Sequence, residues 1–93
     1  MNLRYTDRAL SELSSAFEWY ESQRRGLGFD FLDSIEVSIR NIISFPELYA
    51  ISHSNFRKCV IRRFPFSIFY TIEINEIIIH AIFDNRQNPK RLI

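Results

Sequence analysis

Between Phe56 and Glu73 the chain reads FRKCVIRRFPFSIFYTIE, two apolar runs joined at Arg63-Phe64-Pro65-Phe66. Beyond the junction, Phe66, Ile68, Tyr70 and Ile72 fall on one face at period two, with Ser67, Phe69, Thr71 and Glu73 on the other. That alternation is the signature of a β-strand. Before the junction, Val60 faces one way and Cys59 and Ile61 the other, with Arg57, Lys58, Arg62 and Arg63 around them. Proline has no N–H to give to a ladder, so Pro65 belongs at a turn or a strand edge. The pattern predicts a hairpin with a basic collar, one face of which the upstream chain is built to cover.

The preceding segments read as helices. Asn2 to Tyr5 is a short extended opener. Thr6 is placed to cap a helix, with Asp7 in the first turn, where the helix dipole favours negative charge. Ala9, Leu13, Ala16, Phe17 and Tyr20 then recur at helical spacing, Leu10 widening the stripe, to about Arg24 or Arg25. Trp19 lies beside this stripe, either capping the core's edge or facing a partner. Gly26-Leu27-Gly28 breaks the pattern, and so short a break folds the next helix back as an antiparallel hairpin. Asp30 and Asp33 lie near its first turns. Leu32, Ile35, Ile39, Ile42 and Ile43 form its apolar stripe, with Phe29 at its start and Val37 outside it. Pro46 ends it, because the residue before proline is pushed out of the α region.

Glu47 to Asn55 reads as a polar connector with Tyr49 turned inward. After the hairpin, Ile74-Asn75-Glu76 is a short turn, and Ile77 to Phe83 is apolar on both faces, the mark of a central or doubly covered strand. The tail, DNRQNPKRLI, is polar and basic, and Pro89 argues against further strand pairing. The predicted order is β-α-α-β-β-β: a single α+β domain spanning 1–93, with a helical hairpin laid on a small, mainly antiparallel sheet.

Composition narrows the function classes. With nine Phe in 93 residues, the chain carries a dense core rather than disorder. Its one cysteine, Cys59, excludes an internal disulfide and suits a reducing compartment. The N-terminal residues lack a signal peptide's apolar core, and no run is long enough to span a bilayer, so a cytoplasmic location is expected. The net charge of +1 divides unevenly. Residues 1–54 hold five Lys/Arg against eight Asp/Glu, giving −3; residues 55–93 hold seven against three, giving +4.

Chemistry-bearing residues are few. His53 and His80 have no second ligand at metal spacing, so neither a metal nor another cofactor is expected. The only two glycines serve the helical hairpin, and no phosphate-binding loop or nucleophile elbow is present. What remains is a cluster: Arg57, Lys58, Arg62, Arg63, Tyr70, His80, Asp84, Arg86, Lys90 and Arg91. Such cations could stabilise a pentacoordinate phosphate while Tyr70 or His80 moved a proton. They could equally be solvated strand-face charges.

Four segments, WYESQRRGLGFDFLDSI, IISFPELY, RKCVIRRFPFSIFYTIE and IIIHAIFDNRQNP, occur in an order and wording that resemble the ParE branch of the RelE/ParE toxin superfamily. These are the toxin halves of bacterial type II toxin–antitoxin (plasmid stabilisation) modules, and the predicted element order agrees with the family fold. RelE-like members are ribosome-dependent mRNA endonucleases. Their signature resembles a basic residue two places after the hairpin turn, an Arg after the final strand and a C-terminal Tyr. Here the first position is Ser67, the second corresponds to Arg86, and Lys90-Arg91-Leu92-Ile93 contains no tyrosine.

The resemblance therefore implies the ParE-like action, inhibition of DNA gyrase by direct binding, with Trp19, Arg62, Arg63, Phe69, Arg86, Lys90 and Arg91 as contact candidates. In the alternative, ribosome-dependent cleavage, Arg57, Lys58, Arg62 and Arg86 would hold phosphate, with Tyr70 or His80 transferring the proton. A non-toxic relative that keeps only its partner is the third reading. In each, the family implies a cognate antitoxin draped along the helical hairpin and sheet. Acidic antitoxins would suit the +4 half. Phe69 belongs either to that groove or beneath the opposite helix layer or the N-terminal strand.

Overall fold

A computed structural model describes residues 1–92. The element order is β1 (Asn2–Tyr5), α1 (Asp7–Gln23), α2 (Leu27–Ser44), β2 (Ile51–His53), β3 (Phe56–Val60), β4 (Phe66–Glu73) and β5 (Glu76–Asp84), followed by a 3₁₀ turn, Pro89–Leu92. The five strands form one sheet in the order β1-β5-β4-β3-β2. Every pairing is antiparallel except β1 with β5, which is parallel. The α+β architecture of the predicted order is the one observed, with one added strand.

That added strand is β2, inside the expected connector. All three of its residues are exposed, so it has no buried face to announce it. Only its pairings, Ile51 with Arg57 and His53 with Phe56, define it.

Helix α1 starts as its sequence dictates. The Thr6 hydroxyl accepts from the Ala9 N–H at 3.1 Å and donates to the His80 carbonyl at 3.1 Å, joining helix and sheet at one side chain. The expected interhelical break is shorter than Gly26-Leu27-Gly28, since α2 already begins at Leu27. Gly26 alone takes the left-handed conformation, at φ 89°. Gly28 has a different task. A Cβ there would lie 2.8 Å from both Cδ1 and the backbone oxygen of Phe17, so glycine lets the two helices approach. The Glu21 carboxylate closes the junction, accepting from the N–H groups of Gly26 and Gly28 at 2.9–3.1 Å. These are amides that the start of a helix leaves without partners.

The core lies between the helices and one face of the sheet. Ala9, Ala16, Tyr20, Phe31, Ile35, Ile39 and Ile42 meet Cys59, Ile68, Tyr70, Ile77, Ile79 and Ile82. Tyr20, Phe31, Phe64 and Phe66 form an aromatic knot with ring centroids 4.8–6.1 Å apart. Leu10 and Ile43, placed on the stripes by their spacing, stand exposed at the stripe edges instead. Val37 is exposed, as its position outside the stripe implies, and Tyr49 packs inward.

Strand β5 is central, and its register shifts between Phe69/Ala81 and Tyr70/Ile79, leaving His80 as the extra residue of a bulge. The shift explains why Ile77, Ile79 and Ile82 all reach the helix-covered core although 79 and 82 differ in parity. Ala81 and Phe83 are turned to the opposite face, where they join Phe69.

Candidate functional site

The candidate residues do not converge. They separate into a buried position, a groove beside α1, the far face of the sheet and the loop before β4.

Tyr70 is the buried one. It lies within the helix-side core, and its hydroxyl donates to the Pro46 carbonyl at 2.6 Å. Burial pushes its pKa up to about 12. That group pins the end of α2 to the sheet, and a phenol so placed does not meet a substrate in solution. Arg57 is similarly engaged, donating from Nη1 to the carbonyls of Glu47 at 3.2 Å and Tyr49 at 2.8 Å, which ties the connector to β3. Cys59 is buried beside them, and burial raises its thiol pKa, the setting of a packing residue rather than a nucleophile.

The groove runs between α1 and the end of β5. Strand β1 pairs with β5 only as far as Ile79, whereas β5 continues to Asp84. In place of a strand, Glu12 reaches across, and its Oε1 accepts from the Ile82 N–H at 3.0 Å. Beyond it a cavity of about 300 Å³ is lined by Ser15, Trp19, Tyr20, Phe66, Asp84 and Arg86 among others. Trp19 is 51% exposed at its rim, with the Arg86 guanidinium 6.0 Å from its ring centre. Arg86 is held by Asp84 through bonds of 2.9 and 2.7 Å, which lower the pKa of the Asp84 carboxyl. Trp19 and Arg86, distant in sequence, thus form one exposed pair with an aromatic face and a fixed cation.

The far face of the sheet carries His80, Lys58 and Phe69. Phe69 is 4% exposed and clusters with Ala81 and Phe83 under Phe56 and Leu92. The Lys58 ammonium sits 5.8 Å from the Phe69 ring centre. His80 Nε2 is hydrogen-bonded to the Thr71 hydroxyl at 2.8 Å, and its ring meets Phe56 edge-on at 4.9 Å. Burial lowers its pKa, so it is held neutral near pH 7. His80 and Tyr70 lie on opposite faces of the sheet.

Arg62 and Arg63 project from the loop between β3 and β4. Arg63 has φ 73° and lies 3.6 Å from Asp30, which also meets Arg24 at 3.7 Å. Lys90 and Arg91 belong to the exposed C-terminal turn. Ser67, at the position where the resemblance places a basic residue, is fully buried and donates to Asn85 Oδ1 at 2.9 Å. Among the described residues no group of three or more His, Cys, Asp and Glu could hold a metal ion, and no helix is long and apolar enough to cross a membrane.

Two residues escaped the sequence reading. Arg8, in the first turn of α1, grips the C-terminal turn. Its guanidinium donates to the carbonyls of Leu92 at 2.7 Å and Arg91 at 2.9 Å. Leu92 itself packs on the Phe69 cluster. The pairing spans more than eighty residues, and no local pattern encodes it.

The model of a family described as ParE toxin of type II toxin–antitoxin system, parDE, matches residues 3–89. Eight chains among solved structures are similar in fold. One, from the chromosomal ParDE TA system of P. aeruginosa, superposes with a TM-score of 0.70 over 90% of this chain and 95% of that one. Its sequence identity is 18%, so that likeness concerns the fold alone. No curated protein matches.

Proposed function

The chain belongs to the ParE toxin family of type II toxin–antitoxin systems, and on that premise we propose that it inhibits DNA gyrase in the cytoplasm by direct binding. A cognate antitoxin holds it silent. The observation that carries the non-catalytic reading is that the acid, base and phosphate-binding candidates do not gather at one point, with only Lys58 and His80 sharing a face of the sheet. Tyr70 is committed to the Pro46 carbonyl inside the core, His80 lies on the other face, Arg57 is spent on two carbonyls and Arg86 on Asp84. In-line cleavage of RNA needs such groups within reach of one phosphate.

Docking needs exposed anchors instead, and aromatic and arginine side chains supply most binding energy at interfaces. Trp19 with Arg86 is the anchor we assign first, with Arg62, Arg63, Lys90 and Arg91 as a surrounding cationic rim. Inducible expression without antitoxin, with DNA and protein synthesis followed separately, tests the reading. DNA synthesis failing first, with a DNA-damage response, supports it. Early arrest of protein synthesis with cut messages would replace it with the ribosome-dependent alternative, and no effect on either process would leave a silent relative.

A further inference from the structure

The corner where α1 meets α2 carries arginines that the fold does not spend. Arg24 and Arg25 follow the last turn of α1, and Arg62 and Arg63 stand in the loop between β3 and β4. All four are exposed. One carboxylate oxygen brings the two pairs together, since Asp30 Oδ2 lies 3.7 Å from Arg24 Nη2 and 3.6 Å from Arg63 Nη2. At that separation the attraction is electrostatic and no hydrogen bond forms. By contrast, Arg4, Arg8, Arg57 and Arg86 donate to carboxylates or carbonyls of the protein. Among the described residues, none of the four corner guanidiniums donates a hydrogen bond to the protein.

The loop presents its cations from a rigid base. Phe64 is buried in the aromatic knot, 4.8 Å from the Tyr20 ring and 5.3 Å from Phe31. The Ile61 N–H donates to the Phe66 carbonyl at 3.1 Å, closing the loop. Between these fixed points Arg63 takes φ 73°, a left-handed conformation that strains any residue with a Cβ and that glycine adopts freely. A strained position that keeps an arginine points to a task for the side chain. The carboxylates lining the cleft beside Arg62 and Arg63 are Asp30 and Asp33. Glu21 faces the helix junction instead, accepting from the Gly26 and Gly28 N–H groups. Four guanidiniums against two carboxylates leave a local surplus of two positive charges.

We propose that this corner binds the phosphate backbone of duplex DNA, so that the toxin touches both its protein target and the DNA that target holds. Guanidinium suits phosphate because its charge is permanent and its planar fork donates two bonds at once. Here those forks have no internal acceptor. Trp19 and Arg86 lie in the groove between α1 and β5 and remain the protein anchor, while Arg62 and Arg63 in the rim around it meet the DNA. The proposal rests on the gyrase reading for the source of the DNA, whereas the affinity of the corner for a bare duplex does not depend on it. With a net charge of +1 over the whole chain, only such clustering gives phosphate contacts, and binding should be weak and steeply salt-dependent.

Fluorescence anisotropy with a labelled duplex of about twenty base pairs, titrated at several salt concentrations from about 50 mM, tests this on the full chain. Wild type should bind, with log affinity falling against log salt at a slope between about −2 and −4. Arg62→Gln/Arg63→Gly and Arg24→Gln/Arg25→Gln should each lose at least about fivefold in affinity and about two in slope. Trp19→Ala should stay within about twofold of wild type, because it removes the protein anchor at a separate site. Arg63→Gly should melt no lower than wild type, since glycine relieves the left-handed strain, so its lost binding is not lost fold. Absence of salt-dependent binding by wild type, or equal binding by wild type and both double variants, would overturn the proposal. Preference for a single-stranded oligouridylate over the duplex would overturn it in favour of RNA. Global unfolding of both double variants would overturn it by making the cluster structural. Duplex binding by a protein that leaves gyrase supercoiling untouched would sustain the corner and remove the gyrase reading.

Discussion

Replacing Tyr70 with Phe removes one oxygen from the core and separates a structural role from a catalytic one. The ring is fully buried, and its hydroxyl makes a 2.6 Å bond to the Pro46 carbonyl. Phe refills the apolar volume, so no cavity term arises. The loss is that of one neutral hydrogen bond whose acceptor sits at a partly buried loop, about 1 kcal/mol. In a domain of this size that lowers the melting temperature by roughly 4–8 °C. Differential scanning calorimetry at pH 7 measures it. The phenol's pKa of about 12 adds a second expectation: raising the pH through the ordinary tyrosine range near 10 should not ionise Tyr70. Sign matters here. A tyrosine raised in the folded state opposes folding once the unfolded tyrosine ionises, so the wild-type advantage over Tyr70→Phe should shrink above about pH 10. Toxicity on induction should be unchanged. A variant that melts like wild type yet loses toxicity a hundredfold or more would refute the reasoning, because the hydroxyl would then be acting on a substrate.

Other expectations follow from single contacts. Gly28→Ala must force Phe17 and its backbone away from a Cβ only 2.8 Å distant; overpacking of this kind costs about 1–3 kcal/mol. Gly26→Ala meets nothing within 4 Å and carries only the left-handed backbone strain, about 1 kcal/mol, so urea midpoints should rank Gly28→Ala below Gly26→Ala. Ile39→Asp places an unpaired charge among buried side chains and should leave no cooperative melt by circular dichroism. The Asp84 carboxyl is held below its usual pKa chiefly by the Arg86 side chain. Its contribution is therefore complete above the unfolded value near 3.9 and fades as pH falls through the lower folded value. Melting curves of Asp84→Asn should lag wild type at pH 7 and converge with it toward pH 2.

The secondary structure was legible wherever one face is buried. The period-two run through Tyr70, the helical stripe ending at Tyr20 and the stop at Pro46 each report a burial pattern that the sheet and helices then realise. Strand β2 was not legible, because Ile51 and His53 are exposed and only hydrogen bonds to β3 make them a strand. The bulge at His80 was equally silent. A run such as IIIHAIF is apolar on both faces, so a one-residue register shift leaves no trace in its pattern. Among the site candidates, the pairing of Trp19 with Arg86 was invisible because a groove is made by two elements far apart in the chain. The basic cluster on the C-terminal half was visible as composition, yet its members divide between two faces and a loop. Strand alternation and a hairpin turn separate residues that are neighbours in sequence. Phe69 was left between an exposed groove and a place under the helices or the N-terminal strand; it is buried on the face away from the helices, beneath Phe56 and Leu92 instead.

The central claim is inhibition of gyrase by binding, without chemistry. The most direct measurement is supercoiling of relaxed plasmid by purified gyrase, titrated with the purified wild-type protein and with Trp19→Ala and Arg86→Ala, alongside intact ribosomes programmed with messenger RNA. The account predicts dose-dependent loss of supercoiling by wild type, weaker inhibition by both folded variants and uncut messenger. Full supercoiling at saturating protein, together with cleavage of the ribosome-bound message, would contradict it.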